Sequence, residues 1–252
     1  MTQFKARFSR FARFGTLAGV ASAGLVLADA AVAQAFRSET LGWHAQTEIK
    51  IEASSPETVR LLAGIMEIRA TLQLGLLAKQ DGKPAVHIND ARTIVWPEYR
   101  EGLMAVGMVD LDPLLQKLDA ATDKVAITNV LMEVEGALMR GHEALKPTSA
   151  DMLLALHATA EEVATATINQ SGPTEARDYQ TAWARIMAAR SELDLLMRDR
   201  DPAIAKYASE AAMAFDDVII SLPDPDRGGP VEIDPALFNE LVSRLKGLNE
   251  EA

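Results

Sequence analysis

Apolar residues recur every three or four positions along most of the chain, which is the spacing of helices that bury one face. Residues 56–79 are apolar around most of the helix circumference, which predicts a central helix. Residues 88–107 also suit a helix that begins at Asn89, although Pro97 should interrupt it or open a new one. Further stretches with helical spacing are 124–145, 149–168 and 235–249.

Helix starts are marked by a capping residue followed by proline. The side chain of the cap accepts a hydrogen bond from a free backbone N–H of the first turn, and proline fits where no N–H is needed. Four such pairs occur: Ser55-Pro56, Asp112-Pro113, Asp201-Pro202 and Asp234-Pro235. A fifth start is predicted at Thr148, with Asp151 as its partner in a capping box.

Residues 174–222 predict an antiparallel helix hairpin. Two apolar stripes of helical spacing are separated only by Asp201-Pro202, which leaves almost no loop between the helices. Arg190 lies in the apolar seam of this pair. We expect its stem to pack in the seam while the guanidinium group reaches solvent. The alternative is an ion pair with Glu210 or Asp194.

The predicted fold class is all-α, a bundle of about six to eight helices that includes the hairpin of 174–222 and a C-terminal helix. Helices 124–145 and 149–168 should be antiparallel neighbours, because only a short linker joins them. A small β-ribbon is an alternative for three short segments that alternate polar and apolar residues. These segments are 47–51, 85–88 and 231–233.

Residues 1–35 predict a secretory signal peptide. A basic start precedes a run of small apolar residues, and A-x-A cleavage motifs end at Ala33 and Ala35. An uncleaved membrane anchor is the alternative, but it would need about 20 apolar residues, and Asp29 interrupts the run earlier. The rest, 36–252, is predicted to form a single helical domain, with a subdivision near 171–173 as the alternative.

Charge and cysteine content limit the location and the partners. The chain has a formal net charge of −11 and no Cys, and the predicted signal peptide carries four bases and one acid. The mature chain is therefore more acidic still, which predicts no binding to nucleic acid and, after cleavage, none to membranes. An exported chain without disulfides must rely on its core, and we predict a periplasmic location.

One stretch, residues 138–145, looks like a site for chemistry because His142 and Glu143 are adjacent there. Neighbouring residues on a helix point about 100° apart, so these two cannot face one ion. Met139 and Glu135 lie on the side of His142, and the three together are a candidate metal site, with copper as the ion. The alternative is a histidine near a helix C-terminus, where its charged form complements the helix dipole.

The linker after residue 145 predicts where the histidines lie. A turn centred near residue 147 would place His142 opposite Met152 and His157 opposite residue 137, too far apart to share one ion. Non-covalent haem held by His and Met is another hypothesis, whereas covalent haem requires Cys. His44 and His87 lie in segments without a clear pattern.

Motifs for nucleophilic catalysis are missing from the sequence: it has no Cys and no G-x-S-x-G. We therefore predict an exported, non-enzymatic helical binding or adaptor protein, whose partner in the periplasm is a protein or a small molecule. One alternative is a metal- or haem-binding bundle that uses His and Met ligands. A second alternative is a hydrolase whose site is assembled from residues far apart in the sequence.

Overall fold

The structure of the protein, a computed structural model, describes residues 53–80, 85–225 and 229–251. The described residues form eight helices and no strand, which confirms the all-α bundle. They belong to one compact unit. The predicted signal peptide, His44 and segment 47–51 lie outside the described residues.

The helices are numbered here in chain order. Two of them, α2 and α5, contain a wider π-helical turn, in which each N–H bonds five residues back. The bounds are α1 Pro56–Gln80; α2 Val86–Asp90, continued by the wide turn Ala91–Val95 and by Trp96–Ala105; α3 Asp112–Ala120; α4 Lys124–Leu145; α5 Ser149–Glu162, continued by the wide turn Val163–Thr167; α6 Ala176–Leu196; α7 Pro202–Ser221; and α8 Ala236–Glu251.

Most of the predicted helix starts are confirmed. The hydroxyl of Ser55 accepts from the N–H of Thr58 at 3.0 Å, and Asp201 accepts from the N–H of Ala203 at 2.9 Å. Thr148 and Asp151 form the expected capping box. Each cap replaces a water that the first turn would otherwise need. Asp234 likewise accepts from Ala236, although the helix begins one residue after Pro235.

The predicted cap at Asp112 is wrong. Asp112 is already the first helical residue of α3, and its carboxylate pairs with Arg92 at 2.8 Å. Asp110 accepts from the N–H of Asp112 at 3.1 Å instead. A carboxylate two residues before the helix reaches that N–H, which frees the side chain of Asp112 for the ion pair.

Helix α1 is the centre of the bundle, as predicted, and packs against α2, α4, α5 and α6. It is long and apolar enough to cross a membrane, but 72% of its apolar window is buried within the protein, as in a core helix. Gly64 allows this packing, because a Cβ there would lie 2.5 Å from the ring of Tyr99. A Cβ at Gly75 would likewise collide with the side chain of Ile88.

Helix α2 corrects two predictions. It begins at Val86 rather than Asn89, so residues 85–88 are not a strand. Of the two outcomes expected at Pro97, the second is right: a new stretch of α-helix begins there, after the wide turn in which the N–H of Trp96 bonds to the carbonyl of Ala91. Pro97 thus lies in the first turn of this stretch. Backbone N–H groups of a first turn have no partner within their helix, so the missing N–H of proline costs no hydrogen bond there.

Helices α4 and α5 are not antiparallel neighbours, which corrects another prediction. Helix α4 packs at the edge of the bundle against α3 and α1, whereas α5 packs against α1, α6 and α8. Lys146, between them, has a left-handed backbone with φ of 48°, which turns the chain away at the end of α4. A short linker therefore joins the two helices without laying them side by side, and His157 does not face residue 137 along a shared seam.

The third candidate strand also fails. Val231 and Thr174 exchange a pair of backbone hydrogen bonds of 2.9 and 2.8 Å, and this isolated bridge is not extended into a ribbon. It connects the loop before α8 to the loop before α6. It thereby satisfies backbone groups that a loop buried against the bundle would otherwise leave unpaired.

The predicted hairpin is confirmed as α6 and α7, which pack against each other. Arg190 does not extend into solvent, since its side chain is only 18% exposed. It bonds to Asp216 at 2.8 Å and to Asp194 at 2.7 Å, so the ion-pair alternative is right for Asp194. Glu210 instead lies 4.0 Å from Lys206.

Candidate functional site

His142 lies in the last turn of α4, and its Nε2 atom is 3.4 Å from the sulfur of Met152 in α5. This is the opposition that the turn near residue 147 predicts. Burial, together with the charge of Arg69, lowers the pKa of His142. The lowered pKa favours the neutral imidazole, and neutral imidazole and thioether are both ligands that soft metal ions accept.

The other two residues of the predicted metal site have different surroundings. The carboxylate of Glu135 accepts from Arg69 at 3.3 Å, so a cation already engages it. The side chain of Met139 is 54% exposed. In the described parts of the chain, no three His, Asp or Glu side chains come close enough to hold a metal ion. The structure therefore places His142 in contact with Met152 rather than in a three-residue site with Met139 and Glu135.

The remaining described histidines make contacts of their own. His157 lies 3.8 Å from the carboxylate of Glu161, and burial lowers the pKa of His157. His87 is buried, with its Nε2 atom 3.1 Å from Oε1 of Gln180 and its Nδ1 atom 3.5 Å from Asp90. The amide nitrogen of Gln180 donates to the carbonyl of Pro225, so its oxygen faces His87 and requires a proton on Nε2.

A buried charged cluster joins four helices and was not predicted. Arg185 of α6 donates to Glu67 of α1 and, at 2.8 Å, to Glu162 of α5. The hydroxyl of Tyr99 of α2 donates to the second oxygen of Glu67 at 2.9 Å. Each of the two oxygens of Glu67 therefore has a donor, which is the condition for keeping a carboxylate away from water.

Burial explains how these groups titrate. It lowers the pKa of Arg185 to about 10 and raises the pKa of Tyr99. It also raises the pKa of Glu162, with help from the negative charge of Glu98. The sequence signal for this cluster is Glu67, an acid within the broadly apolar pattern of 56–79, but its partners come from helices that periodicity alone cannot position.

The outer face of α4 carries a row of exposed apolar side chains. Val125, Met132 and Met139 are 69%, 66% and 54% exposed, and they recur every seven residues. At about 100° per residue, they lie on one side of the helix, opposite its buried residues. Those buried residues are Val134, Ala137, Leu138 and Gly141. We call Val125, Met132 and Met139 the outer stripe.

The outer stripe gives α4 two apolar faces, one against the bundle and one towards solvent. A surface helix ordinarily has charged and polar residues opposite its core face. Isolated exposed apolar residues are common, but a row of them along a single helix is typical of a surface that binds another protein.

Comparison with known proteins gives no further guide to the site. No protein-family model matches the chain, and no curated protein or solved structure matches it significantly.

Proposed function

We propose that this is an exported, non-enzymatic helical binding protein that engages a protein partner through the outer face of α4. The observation that carries the proposal is the outer stripe, which is exposed and lies opposite the buried side of the same helix. An apolar helix face that packs into a partner with anchors one or two turns apart is a recurring mode of recognition.

The position of α4 supports this role. Only four residues of the helix are buried, although it is 22 residues long, so the bundle covers it along one side only. Methionine is well suited to such a surface, because its flexible thioether adapts to different partner shapes. The helix begins with an ordered cap at Asp123, whose carboxylate accepts from the N–H groups of Val125 and Ala126. The binding surface is therefore held in shape before a partner arrives.

Photo-crosslinking of the mature protein tests the proposal. A photoreactive phenylalanine analogue replaces Met132 in one variant and Met213 in a control, which is 55% exposed on α7. We expect the first variant to give a discrete crosslinked product, either with a second copy of the chain or with a component of periplasmic extract, and the control to give none. Met139→Glu in the same chain should abolish the product. Equal labelling from both positions, or labelling that survives Met139→Glu, would contradict the proposal.

Export is part of the proposal and has a test of its own. Expression of the whole chain in a Gram-negative host should yield a periplasmic product that begins at Gln34 or Phe36, after the two predicted cleavage motifs. Intact mass and N-terminal sequencing of the osmotic-shock fraction measure this. A product that keeps residues 1–33 and stays with the membrane would support the anchor instead.

A second candidate function, binding of a soft metal ion, is favoured by the contact between His142 and Met152. The Nε2 atom and the sulfur are 3.4 Å apart, so one ion could lie within ligand distance of both atoms. Titration with Cu(I) against a chromogenic chelator tests it, with His142→Gln and Met152→Leu as variants and His157→Gln as the control. Binding that either variant reduces tenfold, and the control does not, would support the site; equal binding by all four proteins would dismiss it.

A further inference from the structure

We propose that the partner of α4 is a second copy of this chain, and that the two α4 helices pair antiparallel and cross at Gly136. This inference rests on the proposed function, because it identifies what the outer stripe binds. Three features of α4 support it: a glycine with no internal role, the apolar stripe around that glycine, and the two charges beside it.

Gly136 stands in the middle of α4, where glycine weakens a helix by about 1 kcal/mol relative to alanine. A Cβ added there would meet only the tip of Arg140, at 3.4 Å. The glycines that shape the core differ, because a Cβ at Gly64 or Gly141 would collide with a packed side chain at 2.5 or 2.7 Å. The packing of one chain therefore gives no reason for a glycine at position 136.

A second helix crossing at Gly136 supplies that reason. A glycine at a crossing point lets two backbones approach closely, and the residues one turn to either side then pack across the seam. Met132 and Met139 are four before and three after Gly136, on the same exposed side of the helix. The outer stripe thus supplies apolar side chains about one turn to either side of the glycine, where they would pack against the second helix.

The charges beside the stripe determine the direction of pairing. Glu133 and Arg140 are exposed, and both lie on the same flank of α4, three before and four after Gly136. In an antiparallel pair that crosses at Gly136, Glu133 of each copy faces Arg140 of the other copy, which gives two ion pairs. In a parallel pair the flanks that carry Glu133 and Arg140 would lie on opposite sides of the seam, and neither ion pair could form. The charges therefore favour the antiparallel arrangement.

Charge reversal tests this pairing directly. Sedimentation of the mature protein over a wide concentration range should show a reversible dimer, in the weak class expected for a contact through one helix. Glu133→Arg and Arg140→Glu should each weaken it at least tenfold, because each change opposes two like charges. The double variant should recover most of the wild-type affinity, because it restores the pairs with their signs exchanged.

Two further variants separate loss of pairing from loss of folding. Gly136→Leu should abolish the dimer while it raises the thermal stability of the monomer, because leucine strengthens the helix but blocks the crossing. Since the chain has no Cys, Thr122→Cys, at an exposed position just before α4, can carry a single spin label. In the antiparallel dimer the two labels, fourteen residues before each Gly136, should lie about 40 Å apart. A parallel dimer would place them side by side.

The outcomes distinguish this inference from the proposed function. A chain that stays monomeric, a double reversal no better than the single ones, or a short distance between labels would overturn the pairing proposed here. If such a chain is still crosslinked to another protein from position 132, the binding role of the stripe stands and only the identity of the partner was wrong. A dimer that forms equally well with Met132→Glu would overturn the pairing, because the two copies would then associate through another surface.

Discussion

Asp151 and Ser54, which are 97 residues apart, are joined by two hydrogen bonds of 2.7 Å. The backbone N–H and the hydroxyl of Ser54 donate to the carboxylate of Asp151, which also accepts from the backbone and hydroxyl of Thr148. Burial alone would raise the pKa of Asp151, but these hydrogen bonds outweigh it and lower the pKa. One buried carboxylate thus ties the residues before α1 to the start of α5.

Replacing Asp151 by Asn should destabilise the fold by about 2 kcal/mol, because an amide offers only one acceptor oxygen and leaves buried donors unpaired. Urea denaturation at pH 7 measures the change. The matched control is Asp123→Asn, at the exposed cap of α4, where we expect a loss of only a few tenths of a kcal/mol. Equal losses at the two caps would show that the bonds to Ser54 contribute nothing.

Two glycine substitutions should act in opposite directions. Gly64→Ala places a methyl group against the ring of Tyr99, which cannot yield in a packed core, so we expect a loss of about 1–3 kcal/mol. Gly136→Ala meets only the tip of Arg140 and should stabilise a dilute monomer by about 0.5–1 kcal/mol. Thermal unfolding at low protein concentration compares them. A gain at Gly64 or a loss at Gly136 would refute the packing described for these helices.

Removing one partner of the buried ion pair should be costly. Arg185→Met leaves the carboxylate of Glu67 buried without its cation, and we expect a loss of about 3–5 kcal/mol. The double variant with Glu67→Leu should lose less than the two single variants together, because no charge is then left alone. Urea denaturation of the four proteins gives the coupling energy. Glu162→Gln is the control, because its side chain is 43% exposed and water can replace it.

Stability should fall as the pH drops below about 6.5. Burial lowers the pKa of both His142 and His157 in the folded protein, so the unfolded chain takes up these protons first. Below about pH 6.5 unfolding therefore binds protons, and each step towards acid favours the unfolded state until the histidines of the folded protein are protonated too. The double variant His142→Gln with His157→Gln should show a flatter dependence in this window. Unfolding free energies at a series of pH values provide the measurement, and an unchanged slope would contradict it.

Helix periodicity and caps predicted the fold class because they depend on residues close in sequence. The cap at Thr148 and the turn at Asp201 each rely on partners three or fewer residues away. The same local logic predicted the contact between His142 and Met152, which needs only the position of one turn.

The prediction that α4 and α5 lie side by side failed, although the same kind of reasoning was right for the hairpin of α6 and α7. The linker after α4 is short, but the left-handed backbone at Lys146 sends α5 away from α4 to pack against other helices, and a linker length cannot reveal that. The cluster around Arg185 was invisible for the same reason, since its members come from four helices. Glu67 is an acid within a broadly apolar helix, but its position in the sequence does not indicate which cation would neutralise it.

The buried cluster around Glu67 provides a residue signature by which distant homologues can be recognised. Neither Glu67 nor Arg185 can change alone without leaving the charge of the other buried, and the loss of Tyr99 leaves one oxygen of Glu67 without a donor. Glu67, Tyr99 and Arg185 should therefore be inherited together or replaced together. Their separations, 32 residues from Glu67 to Tyr99 and 118 from Glu67 to Arg185, combine into a spaced signature. A distant homologue whose overall similarity has faded would still carry that signature at the corresponding places in its helices.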